Sequence, residues 1–294
     1  MDKKKLNPLA RFRGFIQAGA TLLTNLHLPN FAKGTLYQGS GKYVCVPGLN
    51  CYSCPGAAGA CPVGAFQAVI GSSKFRFSYY ITGILILFGV LLGRFICGFL
   101  CPFGWFQELL HKIPSPKLST KKLKPLRYLK YAVLLVMVVL LPLLAVNELG
   151  MGDPFFCKYL CPQGVLEGAI PLSLANSGIR AALGSLFTWK FGILLAVIVL
   201  SVVFYRPFCK WLCPLGAFYA LFNRVSLFQM KVDKSKCVSC GKCARACKMD
   251  VDVTKTPNHT ECIRCGMCIH ACPTGAVCFR YGFGSDKKTE KTAE

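Results

Sequence analysis

The chain has 294 residues, of which 53% are hydrophobic and only 16% charged, a balance too apolar for an ordinary soluble domain and one that points to a membrane protein. Its 19 cysteines do not fit a secreted disulfide scaffold, because the chain is neither short nor led by a convincing signal peptide. The formal charge of +23 favours anionic lipid headgroups and acidic partners, and nothing in the sequence motivates nucleic-acid binding.

The basic start MDKKKLNPLARFRG runs into GFIQAGATLLTNLHL (14–28), which is weakly apolar and carries no cleavage site. It reads as a retained first membrane span, with an interfacial helix as the alternative. The loop CVPGLNCYSCPGAAGACPVG (45–64) follows, with Cys45, Cys51, Cys54 and Cys61. Cys51 and Cys54 have a chelating spacing, so the simplest reading is a 4Fe–4S cluster on these four residues, and disulfides in an oxidising external compartment are the rival.

Three clearer spans come next: FSYYITGILILFGVLLG (77–93), YLKYAVLLVMVVLLPLLAV (128–146) and FTWKFGILLAVIVLSVVFY (187–205). Each is close to the roughly 20 residues that cross a bilayer core. Tyr79, Tyr80, Tyr128, Trp189 and Tyr205 lie near their ends, where amphipathic rings prefer the interface. The segment VLEGAIPLSLANSGIRAALGSLF (165–187) is interrupted by Pro171, Asn176 and Gly178 and reads as re-entrant or surface-lying.

The span at 77–93 ends in RFICGFLCPFGWF (94–106), and the span at 187–205 ends in RPFCKWLCPLGAF (206–218). The two align without gaps. Each offers half of a four-thiol site, so Cys97, Cys101, Cys209 and Cys213 together complete a third 4Fe–4S site at the inner membrane face, with buried free cysteines as the structural alternative. Proline after Cys101 and Cys213 turns the chain at the second cysteine. Arg94 and Arg206 stand three residues before the first cysteine, where they can offset cluster charge. A third copy, FCKYLCPQG (156–164), adds Cys157 and Cys161, which could join the 45–61 site, pair with each other or bind something else.

The C-terminal region carries CVSCGKCARACK (237–248) and CIRCGMCIHACP (262–273), each with the C-x2-C-x2-C-x3-C spacing of a bacterial ferredoxin with two 4Fe–4S clusters. The fourth cysteine of each run serves the other cluster. Cys237, Cys240, Cys243 and Cys272 form one set, and Cys262, Cys265, Cys268 and Cys247 the other. Zinc is the alternative that two tandem quartets disfavour. Lys248 stands where proline usually follows, and Cys278 reads as an unligated core thiol.

These elements describe a mainly α membrane protein. It has about four transmembrane helices, C-x3-C-P turns at helix ends and a C-terminal ferredoxin-like α+β module with two clusters. The expected organisation is an integral membrane iron–sulfur domain over 1–228, a ferredoxin domain over 229–282 and a charged disordered tail over 283–294. With four spans and an inside N-terminus, inside segments hold 26 Lys and Arg and outside segments 7. This asymmetry puts both termini and the ferredoxin module in the cytoplasm of a prokaryotic cell, and the 45–61 cysteines on the opposite face. His27 and His111 lack paired histidines for a haem, AGAT (18–21) matches a covalent-flavin motif only in part, and no Ser-His-Asp, Walker or dinucleotide motif is present.

Paired C-x3-C-P motifs at span ends, followed by the tandem ferredoxin runs, resemble the membrane-bound polyferredoxin family. That family includes the quinol-oxidising ferredoxin of the periplasmic nitrate reductase system and the C-terminal half of the nitrous oxide reductase regulator. The resemblance covers roughly residues 76–275. It implies a four-helix membrane unit that relays electrons between cytoplasmic clusters and membrane or external redox partners, such as a flavin-bearing membrane protein or the quinol pool. The chain departs from the family in its extra cysteines at 45–61 and at 157 and 161. The expected role is an electron-transfer subunit rather than a stand-alone enzyme; a cluster-bearing redox sensor or an assembly factor is the alternative.

Overall fold

The computed structural model describes residues 8–72, 78–148 and 150–282. The tail expected over 283–294, the basic residues before Pro8 and the first residue of the span expected at 77–93 lie outside the described residues.

The chain is mostly helical. Two helices, Lys121–Leu144 and Ser185–Val203, are long and apolar enough to cross a membrane. At 1.5 Å per residue they reach about 36 and 28 Å, against a hydrocarbon core of about 30 Å. They are not shielded core helices, because only 22% and 17% of their apolar windows are buried, and Leu135, Leu144, Trp189, Leu195 and Val199 face outward. An exposed apolar surface of that kind calls for lipid or a partner.

The other two expected spans are shorter. Tyr79–Leu92 has 14 residues, about 21 Å of helix. The segment at 14–28 forms a helix of 12 residues, Arg13–Thr24, about 18 Å long and too short to cross by itself. Polar anchors limit this helix at both ends. Arg13 and Gln17 each donate to the carbonyl of Gly98 at 2.9 Å, and the Asn25 side chain is engaged by that of Asn50 at 3.2 Å. The segment at 165–187 breaks at Asn176, whose side chain caps Ser177–Ala181 by accepting from the Gly178 and Ile179 amides.

Tyr79–Leu92 stops at Gly93, which has a φ of +53°. A Cβ there would lie 2.8 Å from both the Arg264 guanidinium and the Asn223 amide oxygen, so only glycine allows the C-terminal portion to seat at this helix end. That portion opens and closes with strands Phe228–Val232 and Val277–Tyr281, paired antiparallel with Phe228 opposite Tyr281. Helices Lys242–Ala246 and Met267–Ala271 pack together between them. The two halves repeat one backbone path: Ser239 and Arg264 have φ of 51° and 52°, and Gly241 and Gly266 have 67° and 78°.

Buried polar contacts fasten this portion to the membrane helices. Arg264 is fully buried and donates to the carbonyls of Leu92 and Asn223 at 2.8 and 2.7 Å. Glu261 pairs with Arg94 at 2.9 Å and with Lys130. Asp250 receives Lys210 at 3.1 Å, Arg127 at 3.3 Å and the Thr120 hydroxyl. One apolar core continues across the junction, joining Met249, Val251 and Ile263 to Ile96, Phe103 and Phe208.

Candidate metal centres

In the C-terminal portion the C-x2-C turns wrap two separate spaces. Cys237, Cys240, Cys243 and Cys272 line a cavity of about 270 Å³, and Cys247, Cys262, Cys265 and Cys268 line a second beside Met249, Val251 and Ile263. Each fourth cysteine crosses to the other half, because the helix that carries it packs against its counterpart. Cys240 is exposed, whereas Cys243 and Cys272 are buried, so the first space opens toward solvent and the second faces the membrane portion. Cys278 is exposed on its strand opposite Lys231. The core position expected for it is corrected by strand alternation, which turns Val277 inward and Cys278 out.

At the helix ends Cys97, Cys101, Cys209 and Cys213 are all buried and influence one another electrostatically. The two repeats are cross-tied. Arg94 donates to the Cys209 carbonyl at 3.4 Å, and Arg206 donates to the Cys97 carbonyl. Each guanidinium is matched by a carboxylate, Arg94 by Glu261 and Arg206 by Glu108 at 2.8 Å. The arginines therefore align the opposite half-site as much as they offset charge. Cys101 and Cys213 are extended, with ψ of 113° and 111°, as proline at the next position requires. The Gly216 amide then donates to Cys213 Sγ at 3.4 Å, so the sulfur caps the helix that follows.

Burial, reinforced by Cys209 and Cys97, pushes the Cys101 thiol up to about 12. Burial also raises Cys262 to about 12. Such thiols keep their protons at neutral pH until a metal takes the proton's place. Among the described residues no three Cys, His, Asp or Glu side chains converge closely enough to hold a single ion. Thiols ranged around an open space suit a group with four metal corners, and the all-cysteine donor set fits iron–sulfur chemistry.

The loop cysteines divide. Cys51 and Cys61 line a cavity of about 810 Å³ together with Cys157 and Cys161. Cys54 is buried elsewhere, with its thiol on the Asn25 side-chain oxygen at 3.3 Å, and the Cys45 thiol points to the Val46 carbonyl at 3.9 Å. The loop also packs on the inner repeat: a Cβ on Gly48 would lie 2.9 Å from Cys101 Cα. The loop thus touches the inner repeat at Gly48, while its Cys51 and Cys61 face Cys157 and Cys161.

Several residues that shape these centres carry no motif of their own. Gln107 donates to Cys209 Sγ at 3.1 Å and accepts from the Phe208 amide at 3.2 Å. Gln67 does the same for Cys157 at 3.2 Å and Phe156 at 3.0 Å. Their common place, six residues after a Cys-Pro cysteine in CPVGAFQ and CPFGWFQ, is the signal that identifies them. Glu108, Asp250 and Glu261 carry no such signal.

Ferredoxin-type thiol turns, coupled through a continuous core to thiol pairs at the ends of apolar helices, define an iron–sulfur electron-transfer protein. A 4Fe-4S binding domain model matches residues 59–80, 77–121, 131–170 and 186–235, and each stretch contains one Cys-Pro turn. A second 4Fe-4S binding domain model matches 230–251 and 256–278. The chain belongs to the polyferredoxin family of 4Fe–4S binding proteins. It is 30% identical to the uncharacterized protein MJ0750 of Methanocaldococcus jannaschii, over 68% of this chain and 77% of that one. It is 26% identical to the methylamine utilization ferredoxin-type protein MauN of Methylorubrum extorquens, over 64% of this chain and 55% of that one. It is 28% identical to the ferredoxin-type protein NapH of Haemophilus influenzae, over 37% of this chain and 52% of that one. The matches span about half the length of these two ferredoxin-type relatives. No solved structure matches the chain.

Proposed function

We propose that this protein is a multi-pass carrier of the cell membrane. In this reading it moves single electrons between a cytoplasmic redox partner and the membrane interior through 4Fe–4S clusters. Two clusters sit on the ferredoxin-type cysteine sets and a third on Cys97, Cys101, Cys209 and Cys213. The observation that carries the reading is the seating of the Cys262–Cys265 turn on the Cys97–Cys101 turn. A side chain on Gly98 would run into the Ile263 carbonyl, and the Asn223 side chain ties the Arg94 amide at 3.1 Å to the Cys262 carbonyl at 2.9 Å. The clusters supply reversible one-electron chemistry; the chain fixes their order, shields the inner ones from water and presents the exposed Cys240 edge to a partner. The charge asymmetry supports an inward-facing ferredoxin portion. Redox proteins or the quinol pool are the exchange partners this arrangement suits.

In the test, Cys97→Ala and Cys209→Ala are compared by low-temperature electron spin resonance of anaerobically reduced protein. Both variants are expected to lose the same signal, to keep the ferredoxin-type signals, and to show no further loss when combined. Additive losses of two different signals would mean that the two repeats do not share a centre.

A further inference from the structure

We propose that Cys51, Cys61, Cys157 and Cys161 hold a fourth 4Fe–4S cluster, in a site that repeats the architecture of the Cys97–Cys213 site, and that Cys45 and Cys54 are not ligands. This deepens the electron-carrier reading and rests on it.

The argument is a position-by-position correspondence. Cys61 answers to Cys101 in C-P-x-G-x-x-Q, while Cys157 and Cys161 answer to Cys209 and Cys213 in F-C-K-x-L-C-P. The four Cys-Pro cysteines of these repeats are all extended, Cys61 and Cys161 with ψ of 127° and 114°. The residue six places on leaves its own repeat in every copy, reaching the facing half in three and the 45–64 loop in the fourth. Gln67 and Gln107 each hold the first cysteine of the facing repeat and the amide before it. Glu167 accepts from the Cys51 amide at 3.0 Å, and the Tyr219 hydroxyl donates to the Pro47 carbonyl at 3.1 Å.

One position breaks the correspondence. The inner site's Cys97 stands four residues before Cys101, and four before Cys61 the sequence has Ala57. The missing thiol is restored by Cys51, drawn into the same cavity by Glu167. Gly64 and Gly164 keep the space clear: a Cβ on the first would lie 3.8 Å from Cys157 Sγ, and one on the second 3.8 Å from Cys51 Sγ. Lys190, which also lines the cavity, donates to the Cys157 carbonyl at 2.9 Å. It sets a cation beside a centre whose four thiolates make it anionic.

The two membrane sites share a wall. Strand-like bonds hold residues 44–46 to Ala60, at 2.8 and 3.1 Å, and a few residues on, Gly48 rests on Cys101. A cluster here extends the relay by one step, away from the ferredoxin portion.

The test uses full-length protein purified anaerobically in detergent, with iron and acid-labile sulfide analysis alongside spin resonance. Wild type is expected to hold about sixteen irons, four in each of four cubes. Cys51→Ala and Cys157→Ala should each lose about four irons and the same signal, while Cys54→Ala and Cys45→Ala keep both. Where a cysteine variant fails to accumulate, Gln67→Leu retains every thiol; it should shift the midpoint potential of this centre alone, as Gln107→Leu should shift only the inner one. Loss of iron from Cys54→Ala but not from Cys157→Ala would overturn the ligand set, as would a Cys157–Cys161 disulfide in the purified protein. About twelve irons in wild type, with the Cys97 and Cys209 variants behaving as above, would reject the fourth cluster and leave the carrier reading standing. Unchanged iron in the Cys97 and Cys209 variants would reject the carrier reading itself.

Discussion

Arg94 and Arg206 show how much a single buried side chain does here. Each is fully buried, crosses from its own repeat to the backbone of the other, and keeps its charge because a carboxylate lies against it. Glu261 serves two cations at once, Arg94 and Lys130. Burial alone would raise its carboxyl, but Arg94 and Lys130 outweigh that and hold it down at about 2, below its usual 4.5. A carboxyl lowered by folding contributes stability that is fully present above its ordinary range and is lost as pH falls from about 4.5 toward 2. Limited proteolysis between the membrane and ferredoxin portions is therefore expected to accelerate over that interval. Glu261→Gln leaves two buried cations without their anion and should weaken the junction by about 3–5 kcal/mol. The same assay should then show rapid release at neutral pH with a flattened pH dependence, and unaltered release would contradict the role given to Glu261.

At the scale of elements, the recurring unit is a cysteine, a proline, a variable residue and a glycine at the start of a helix. Proline forbids the helical conformation at the cysteine and fits the first helical position, where no amide partner is needed. At Cys213 the sulfur itself caps the helix, and the helix dipole favours the charge a ligated thiolate carries. Glycine completes the unit by leaving room. A Cβ on Gly104 would lie 2.9 Å from the Arg206 guanidinium, which is pinned by Glu108 and the Cys97 carbonyl and has nowhere to move. Gly104→Val should abolish the signal of the Cys97–Cys213 site, as measured by spin resonance, while the ferredoxin-type signals persist. Gly93→Ala tests a different demand. Its positive φ costs an L-residue on the order of 1–2 kcal/mol, and its Cβ meets Arg264 and Asn223, so a lowered thermal midpoint in detergent is the expected result.

Across the whole molecule the thiol sets follow one another from the exposed Cys240 to the half-buried Cys262–Cys268 space, then to the helix-end site and the cavity beside it. Neighbouring paramagnetic clusters broaden and split each other's resonances. Reduced full-length protein should therefore show, beyond the coupling within the ferredoxin-type pair, a further spin coupling that Cys209→Ala removes, and spectra without that further coupling would argue against a continuous path. The junction also bears on whether the ferredoxin portion can live alone. Within it, Ile263 and Arg264 are buried against the apolar helices and become bare when those are removed. A fragment of residues 228–282 should keep the Cys237–Cys272 cluster and lose the Cys247–Cys268 cluster faster in air, as followed by its visible absorbance.

The cysteine spacings, the apolar runs and the repeat at 94–106 and 206–218 were legible in the sequence because each is local. A C-x2-C turn, a Cys-Pro break and a bilayer-length helix are set by residues a few places apart. The pairing of Cys51 and Cys61 with Cys157 and Cys161 was not legible, since it joins segments about a hundred residues apart through a loop with no periodicity. Nor were Glu108, Asp250 and Glu261, whose importance comes only from the buried cations they meet. The first helix shows the same limit: its apolar letters read as a span, and only the fold reveals that Arg13 and Gln17 are held by the Gly98 carbonyl and Asn25 by Asn50. Local chemistry thus determined which groups this chain can hold. Tertiary packing decided which thiols line the same space, because that depends on distances between segments the chain brings together only when folded.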